Sequence, residues 1–244
     1  MKENKYDDSR FFEQYSQMSR SVQGLQGAGE WHILRNMLPD FTGKQVLDLG
    51  CGFGWHCRYA VEHGATKVMG IDLSANMLNK AIEINNLPEI EYLQMSVEDY
   101  DYPSGVFDIV ISSLTFHYIA DFNRICKLVN RSLTQGGSFV FSVEHPVFTA
   151  YGNQDWYCDA DGNILHWPVD RYFIEGERKA VFLGEEIVKY HKTLTTYINS
   201  LLMNGFLIKE LIEPQPSAEA IKAITGMEDE LRRPMMLIVS AVKQ

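Results

Sequence analysis

Cysteine is scarce: Cys51, Cys57, Cys126 and Cys158 are the only four in 244 residues, and no C-x-x-C pair occurs. A zinc ribbon or a dithiol redox motif is therefore excluded, and scattered thiols fit a reducing compartment. The seven histidines show no H-E-x-x-H or similar spacing, so no metal is expected. No apolar run approaches the roughly 20 residues that cross a bilayer. The polar start MKENKYDDSR is unlike a signal peptide. These absences predict a cytoplasmic protein with no membrane partner. Positive charge is also short, with 22 basic against 32 acidic residues, a net charge of −10 and no basic block. Such a surface repels a phosphate backbone, so nucleic acid is not an expected partner. No feature specifies an oligomeric state.

What is present is ordinary globular composition, 45% hydrophobic and 22% charged, enough for one large domain without staples. From Lys44 to Val143, strand and helix signals alternate. Strands are predicted at Val46–Leu49, Lys67–Leu73, Ile90–Ser96, Phe107–Leu114 and Ser138–Val143. A helix follows from Trp55 to His63, with Gly64 as its stop. Ser74 and Asp121 cap two further helices, the second predicted to end at Gly136-Gly137. This alternation predicts an α/β fold, a doubly wound, mostly parallel sheet covered on both faces. The tail differs: a helix over Thr193–Asn204 precedes strands at Phe206–Ile212 and Met235–Val242, with no regular crossover between them. That favours an antiparallel last strand and seven strands in all. Before Lys44, a helix is predicted over Gly29–Leu38.

The strongest chemical signal is Val46-Leu47-Asp48-Leu49-Gly50-Cys51-Gly52-Phe53-Gly54, a strand running into spaced glycines at a helix start. Such a turn brings backbone close to a ligand where a Cβ would intrude. The spacing is not that of a dinucleotide site, because the third position of G-x-G-x-x-G is the bulky Trp55. Nor does a Gly-Lys-Ser/Thr follow for a phosphate loop. Asp72 stands at the end of the second strand, where a carboxylate can accept both ribose hydroxyls; a strand-end Asp paired with Ser74 is the structural alternative. Ser96-Val97-Glu98 lies just past the third strand, where an adenine would rest.

LDLGCGFG, GIDLS, FDIVISSL and LTQGGSFVFSV together resemble the class I S-adenosylmethionine-dependent methyltransferases, a Rossmann-like family, over about Gly43–Val143. The resemblance implies S-adenosylmethionine as cofactor and S-adenosylhomocysteine as product. It implies that Asp48, Gly50, Cys51, Gly52 and Gly54 surround the methionine portion, and that Asp72, with Leu73 and Met77 beside it, holds the ribose. Ser96, Val97 and Glu98 would contact adenine, Ser96 standing where many members have Asp. Ser113 and Leu114 would flank the methionine moiety, and His117 occupies an L-x-x-H position. Tyr15 and Arg20 are candidates to close over the cofactor carboxylate, as arm residues do in some relatives.

The sequence divides into an N-terminal arm or lid (1–28), a cofactor-binding core (29–143), an insertion (144–192) and a terminal helix with a strand pair (193–244). The insertion carries nine aromatics and is long for a connection. It is expected to cap a small-molecule acceptor, although its aromatics fit equally well as its own small core. A sulfonium already activates the methyl, so the protein mainly aligns a nucleophile for in-line displacement onto an O, N or C atom. If a base is needed, the candidates are His117, Glu144 and His145, with Glu144-His145-Pro146 leaving the fifth strand at the ligand edge. A non-catalytic binder of S-adenosylmethionine or S-adenosylhomocysteine would carry the same glycine turn and Asp72. A nicotinamide enzyme is disfavoured by Trp55 and the paired terminal strands.

Overall fold

The structure is a computed structural model that describes residues 4–244; Met1, Lys2 and Glu3 of the arm lie outside the described residues. The arm folds as two short helices, α1 (Ser9–Ser16) and α2 (Ser19–Val22), followed by α3 (Trp31–Met37). Asp8 caps α1 by accepting from Phe11 N–H. Helix α3 is shorter than the predicted Gly29–Leu38, because Leu38 is extended ahead of Pro39.

β1 (Gln45–Leu49), α4 (Trp55–Glu62), β2 (Lys67–Asp72), α5 (Ala75–Ile84), β3 (Ile90–Gln94) and β4 (Phe107–Ser113) then alternate. They are followed by α6 (Phe122–Ser132) and β5 (Leu133–Glu144). Ser74 and Asp121 cap α5 and α6 as predicted, accepting from Met77 and Arg124 N–H. The boundary between α6 and β5 differs from the prediction: the helix stops at Ser132 and pairing begins at Leu133 opposite Phe107. The register shifts between Phe107 and Ile109, so Gly136-Gly137 belong to an irregular strand entry rather than a helix end.

The insertion holds α7 (Pro146–Thr149), the hairpin β6 (Tyr157–Cys158) with β7 (Ile164–His166), and the hairpin β8 (Gly176–Phe182) with β9 (Glu185–His191). The chain closes with α8 (Leu194–Met203), β10 (Phe206–Ile212), α9 (Ala218–Ala223) and β11 (Met236–Lys243). The sheet order is β10-β11-β5-β4-β1-β2-β3. All pairs from β5 to β3 are parallel, and β11 is antiparallel to both β5 and β10. This is the predicted Rossmann-like sheet of seven strands with an antiparallel last strand.

Successive residues on each strand point to opposite faces, so residues two apart share one. Leu47, Leu49, Val110, Phe139, Phe141 and Val239 meet Phe122, Ile125 and Val129 of α6 and Tyr197 and Leu201 of α8. On the other face Val46, Val68, Ile109 and Ile111 meet Cys57 and Ala60 of α4 and Leu78 of α5. Trp31, Leu34 and Met37 of α3 cover Val140 and Ile238. Each such side chain stabilises by about 1.5–3 kcal/mol. The two covered faces make the sheet rigid, and its carboxyl edge is where β1 and β4 diverge, the switch point of an open α/β sheet. No helix among the described residues is long and apolar enough to cross a membrane.

Candidate active site

The glycine turn sits at that switch point. Gly50 and Cys51 N–H both donate to Ile71 O, which folds the chain sharply away from β1. Gly50 has φ +75°, and a Cβ there would stand 2.1 Å from Thr115 Oγ1, so no other residue fits. Gly52 has φ +53° and nothing within 4 Å of where its Cβ would be, so its bare backbone faces open space. Helix α4 starts straight from the turn without a side-chain cap, leaving its first N–H groups for another acceptor. Beneath the turn Asp48 is 1% exposed. Its Oδ2 accepts from Cys57 Sγ at 3.3 Å, and its Oδ1 has no partner among the described residues. Burial pushes the Asp48 carboxyl up to about 7. Burial likewise holds Cys51 as a thiol, pushed up to about 11.

Asp72 ends β2 facing the turn. Its Oδ2 accepts from Gly52 N–H and its Oδ1 from Ser74 N–H, both at 2.9 Å, so two backbone donors hold the carboxylate in place. Met77 is buried one turn along α5, and Leu73 O accepts from Gln94 Nε2. Past β3, Ser96 Oγ accepts from Glu98 N–H at 3.2 Å, and buried Val97 offers its carbonyl to Tyr102 Oη–H. The predicted loop is thus a tight turn whose hydroxyl is engaged internally.

The arm lies on these loops. Asp7 accepts from Ser74 Oγ at 2.5 Å and from Asn76 N–H at 3.0 Å, so it reaches the start of α5 from 67 residues away. Phe12 and Tyr15 pack edge-on against Phe53 of the glycine turn. Gly24 lets the Trp55 ring approach to 3.0 Å of where its Cβ would be, which explains the bulky residue after the glycines. Arg20 donates from Nη2 to both carboxylate oxygens of Glu30, at 2.6 and 2.8 Å. Ser113 Oγ, at the end of β4, donates to the same Glu30 Oε1 at 3.3 Å. Leu114 has φ +53°, an uncommon conformation for a branched residue, held by its N–H to Ser142 O.

His117 is buried just past β4, where burial pushes its imidazole down to about 3. Its Nδ1 accepts from Glu144 N–H at 3.4 Å, which places its proton on Nε2. Glu144 Oε1 meets Lys189 Nζ at 2.5 Å, and Oε2 accepts from Gln154 Nε2 at 2.8 Å. Lys189 is 3% exposed and also donates to Gln154 Oε1. Burial opposes charge on Glu144, but the Lys189 ammonium and the hydrogen bonds from Lys189 and Gln154 outweigh it and hold the carboxyl below its usual range. Gln154 carries φ +60°, a second strained residue at the site. Tyr118 Oη lies 3.2 Å from Tyr6 Oη of the arm. His145 points elsewhere: its Nδ1 accepts from Val147 N–H to cap α7, and its Nε2 meets Glu213 Oε1 at 2.8 Å. Both its ring nitrogens are therefore occupied away from Glu144.

Residues 47–141 match the family described as a methyltransferase domain. An S-adenosylmethionine-dependent methyltransferase of Mesorhizobium loti is 44% identical, with TM-score 0.84 over 90% of this chain and all of that one. A Listeria monocytogenes protein described as a candidate S-adenosylmethionine-dependent methyltransferase is 59% identical, with TM-score 0.86 over 91% of this chain and 99% of its own. The chain belongs to the S-adenosylmethionine-dependent methyltransferases. A shorter match, 33% identical, joins 45% of this methyltransferase to 40% of the sarcosine/dimethylglycine N-methyltransferase of Halorhodospira halochloris.

S-adenosylmethionine is accordingly the cofactor, and the unpartnered Asp48 Oδ1, the open space over Gly52 and the uncapped start of α4 fit its polar end. Several residues gathered at this edge of the sheet escaped the sequence reading. Glu30, Lys189, Gln154, Tyr6 and Tyr118 are polar or aromatic residues in stretches with no motif. Only the odd placement of Lys189 on the inward Ile187-Lys189-His191 face of β9 signals it, since a buried lysine demands a partner. Three of the insertion's nine aromatics, Phe148, Trp156 and Trp167, pack on each other, and Phe173 is 88% exposed.

Proposed function

We propose that this methyltransferase transfers its methyl group to a small molecule enclosed between the arm and the insertion. One observation carries the reading. Phe11 of α1 packs with Ala180 and Ile187 of the β8–β9 hairpin, while Tyr6 meets Tyr118, so arm and insertion close over the carboxyl edge of the sheet. Such a roof admits a small acceptor more readily than a folded macromolecule, and the net charge of −10 disfavours nucleic acid. The insertion (144–192) then serves as the cap and 1–28 as the lid.

In this reading Asp72, with Leu73 and Met77 beside it, holds the ribose, and the Ser96–Glu98 turn borders adenine. Asp48, Gly50, Cys51, Gly52 and Gly54 surround the methionine portion, with Ser113 and Leu114 on the far side and Tyr15 and Arg20 above. When bound, the sulfonium supplies an activated methyl; the protein aligns the nucleophile and excludes water. His117, neutral and with its proton on Nε2, is a hydrogen-bond donor that positions the acceptor rather than a base. Glu144 is the nearest carboxylate to take a proton. Because it is held ionised by Lys189, it is a weak base. The best-suited acceptor is therefore one that sheds its proton easily, an amine or an acidic hydroxyl. The Halorhodospira relative, named as an N-methyltransferase, supports the amine. His145 is structural here, joining α7 to Glu213.

The test is transfer of labelled methyl from S-adenosylmethionine to a panel of small amines, phenols and carboxylates, with Asp72→Ala as control. Turnover on one acceptor class, reduced about a hundredfold or more by Asp72→Ala, is expected. Tight cofactor binding with no transfer to any member of a broad panel would instead support a non-catalytic binder in a cytoplasmic role.

A further inference from the structure

Lys192, the last residue of the insertion, is a buried cation that the proposed chemistry does not use. It lies between β9 and α8, only 3% exposed, and donates from Nζ to Tyr190 O at 3.1 Å and to Phe116 O at 3.2 Å. The rings of Tyr190 and Tyr197 are centred 5.9 and 5.8 Å from the ammonium. Burial pushes it down to about 8, although Glu175, Asp121 and Glu98 favour its charge from a distance. An ammonium kept from water and given two neutral carbonyls is a poor source of stability. A methionine would fill similar space without that cost. The lysine is explained instead by what its two bonds join.

Its backbone is pinned on both sides. His191 Nδ1 lies 2.8 Å from Thr149 Oγ1, and Thr193 N–H donates to Glu175 Oε1 at 2.7 Å while the Thr193 side chain caps α8. From this fixed point the Lys192 side chain reaches 76 residues back to the turn Phe116–Tyr118, which follows β4 and carries His117 and Tyr118. The Phe116 ring is buried against Phe122, Phe139 and Phe141. That packing fixes where the turn sits but not how it is rotated, because apolar contact has no direction. A hydrogen bond to the Phe116 carbonyl has one. The other polar ties are long: His117 Nδ1 to Glu144 N–H at 3.4 Å, and Tyr118 Oη to Tyr6 Oη at 3.2 Å. The turn is also entered through Leu114 at φ +53°, a conformation that persists only with support from its surroundings. We infer that Lys192 is a positioning residue: through the Phe116 carbonyl it sets the rotation of this turn and so aims His117 Nε2–H and Tyr118 Oη at the acceptor. The insertion then builds the acceptor site from behind as well as covering it. The inference rests on the role proposed above for His117 and adds to it the residue that places that side chain.

The experiment is long-range proton–nitrogen NMR of the full chain labelled in histidine, with His117→Gln to assign the His117 signals. The unmodified chain should show His117 as the Nε2-protonated tautomer. Lys192→Met, close in volume, should shift those signals or average the two tautomers. The signals of His56 and His145 should stay in place, and affinity for S-adenosylhomocysteine should stay within about twofold. Lys192→Arg, which keeps a donor, should restore the His117 signals in part. On an acceptor that the unmodified chain methylates, Lys192→Met should lower kcat about tenfold with the KM for S-adenosylmethionine unchanged. His117 signals that stay put in Lys192→Met would overturn the inference. Movement of His56 and His145 as far as His117, or loss of S-adenosylhomocysteine binding, would overturn it too, since a merely structural lysine gives that result. Absence of methyl transfer by the unmodified chain to every acceptor would overturn the proposed function, while the histidine signals would still decide the role of Lys192.

Discussion

The glycine-turn region and the insertion of this methyltransferase bury charge in opposite ways. At the glycine turn, two carboxylates are left without counterions, although Glu30 nearby keeps Arg20: Asp72 is held by two backbone N–H groups, and Asp48 by one thiol with an oxygen to spare. In the insertion and in the segment before β11 that packs on it, each buried cation is matched within the chain. Lys189 pairs with Glu144, Arg178 donates to the carbonyls of Ala150, Arg171, Ile174 and Glu177, and Arg233 pairs with Glu230 among three aromatic rings. Arg178 and Lys189 even stand directly opposite one another across β8 and β9, an arrangement tolerable only because each is drawn to its own acceptors. The cofactor half is shaped by backbone turns on a rigid sheet and keeps its polar groups for a ligand. The insertion lacks a large core, so ion pairs and ring stacks hold it together.

That contrast can be broken at Lys189 with the largest effect. Lys189→Met leaves Glu144 buried and unpaired, and should lower stability by about 3–5 kcal/mol, with the thermal midpoint falling by roughly 10 °C in calorimetry. A shift of a degree or two would mean that the pair is not what joins the insertion to β5. Arg233 is next. Its guanidinium lies 4.4–5.0 Å from the centroids of Phe148, Trp156 and Trp167. Arg233→Ala should remove about 2 kcal/mol and expose the insertion to limited proteolysis while cofactor affinity stays within about twofold. Coupled loss of cofactor binding would show that the two halves are not separately built.

Asp48 sharpens the comparison from the other side, through a smaller effect. Its folded pKa of about 7 lies above the ordinary 3.8. Between these values the folded chain holds a proton that the unfolded chain has released. The stability this contributes is complete below the lower value and is lost as pH rises through 7. Unliganded protein should therefore lose stability from pH 4 to 7, and Asp48→Asn should flatten that slope when denaturation midpoints are compared across the range. An unchanged slope would place the titrating group elsewhere.

The cofactor half was legible in the sequence because its signals are local. Apolar runs of strand length, glycines at fixed offsets, Asp72 at a strand end, and caps at Ser74 and Asp121 each act within a few residues. The β5 start was misplaced because Gly136-Gly137 imitate a helix stop, whereas pairing with Phe107 decides where the strand begins. The insertion was legible only as a long, aromatic-rich connection. Its hairpins carry charged residues on the inward face, which spoils the alternation that reveals a strand, and their partners are distant in the chain. Glu144 was picked out by its place at the end of β5, while Lys189, 45 residues on, could not be matched to it. His145, its neighbour in sequence, turned to Glu213 instead.

The sequence by itself determined the strand-and-helix alternation, the glycine turn and the carboxylate after β2, because backbone propensity and close-packing rules act over short range. Tertiary structure alone decided that Asp7 reaches α5, that Arg20 meets Glu30 and Ser113, and that Glu144 is neutralised by Lys189. Those contacts join segments up to tens of residues apart, and a charge finds its partner only after the sheet and its two coverings have brought both to the same edge.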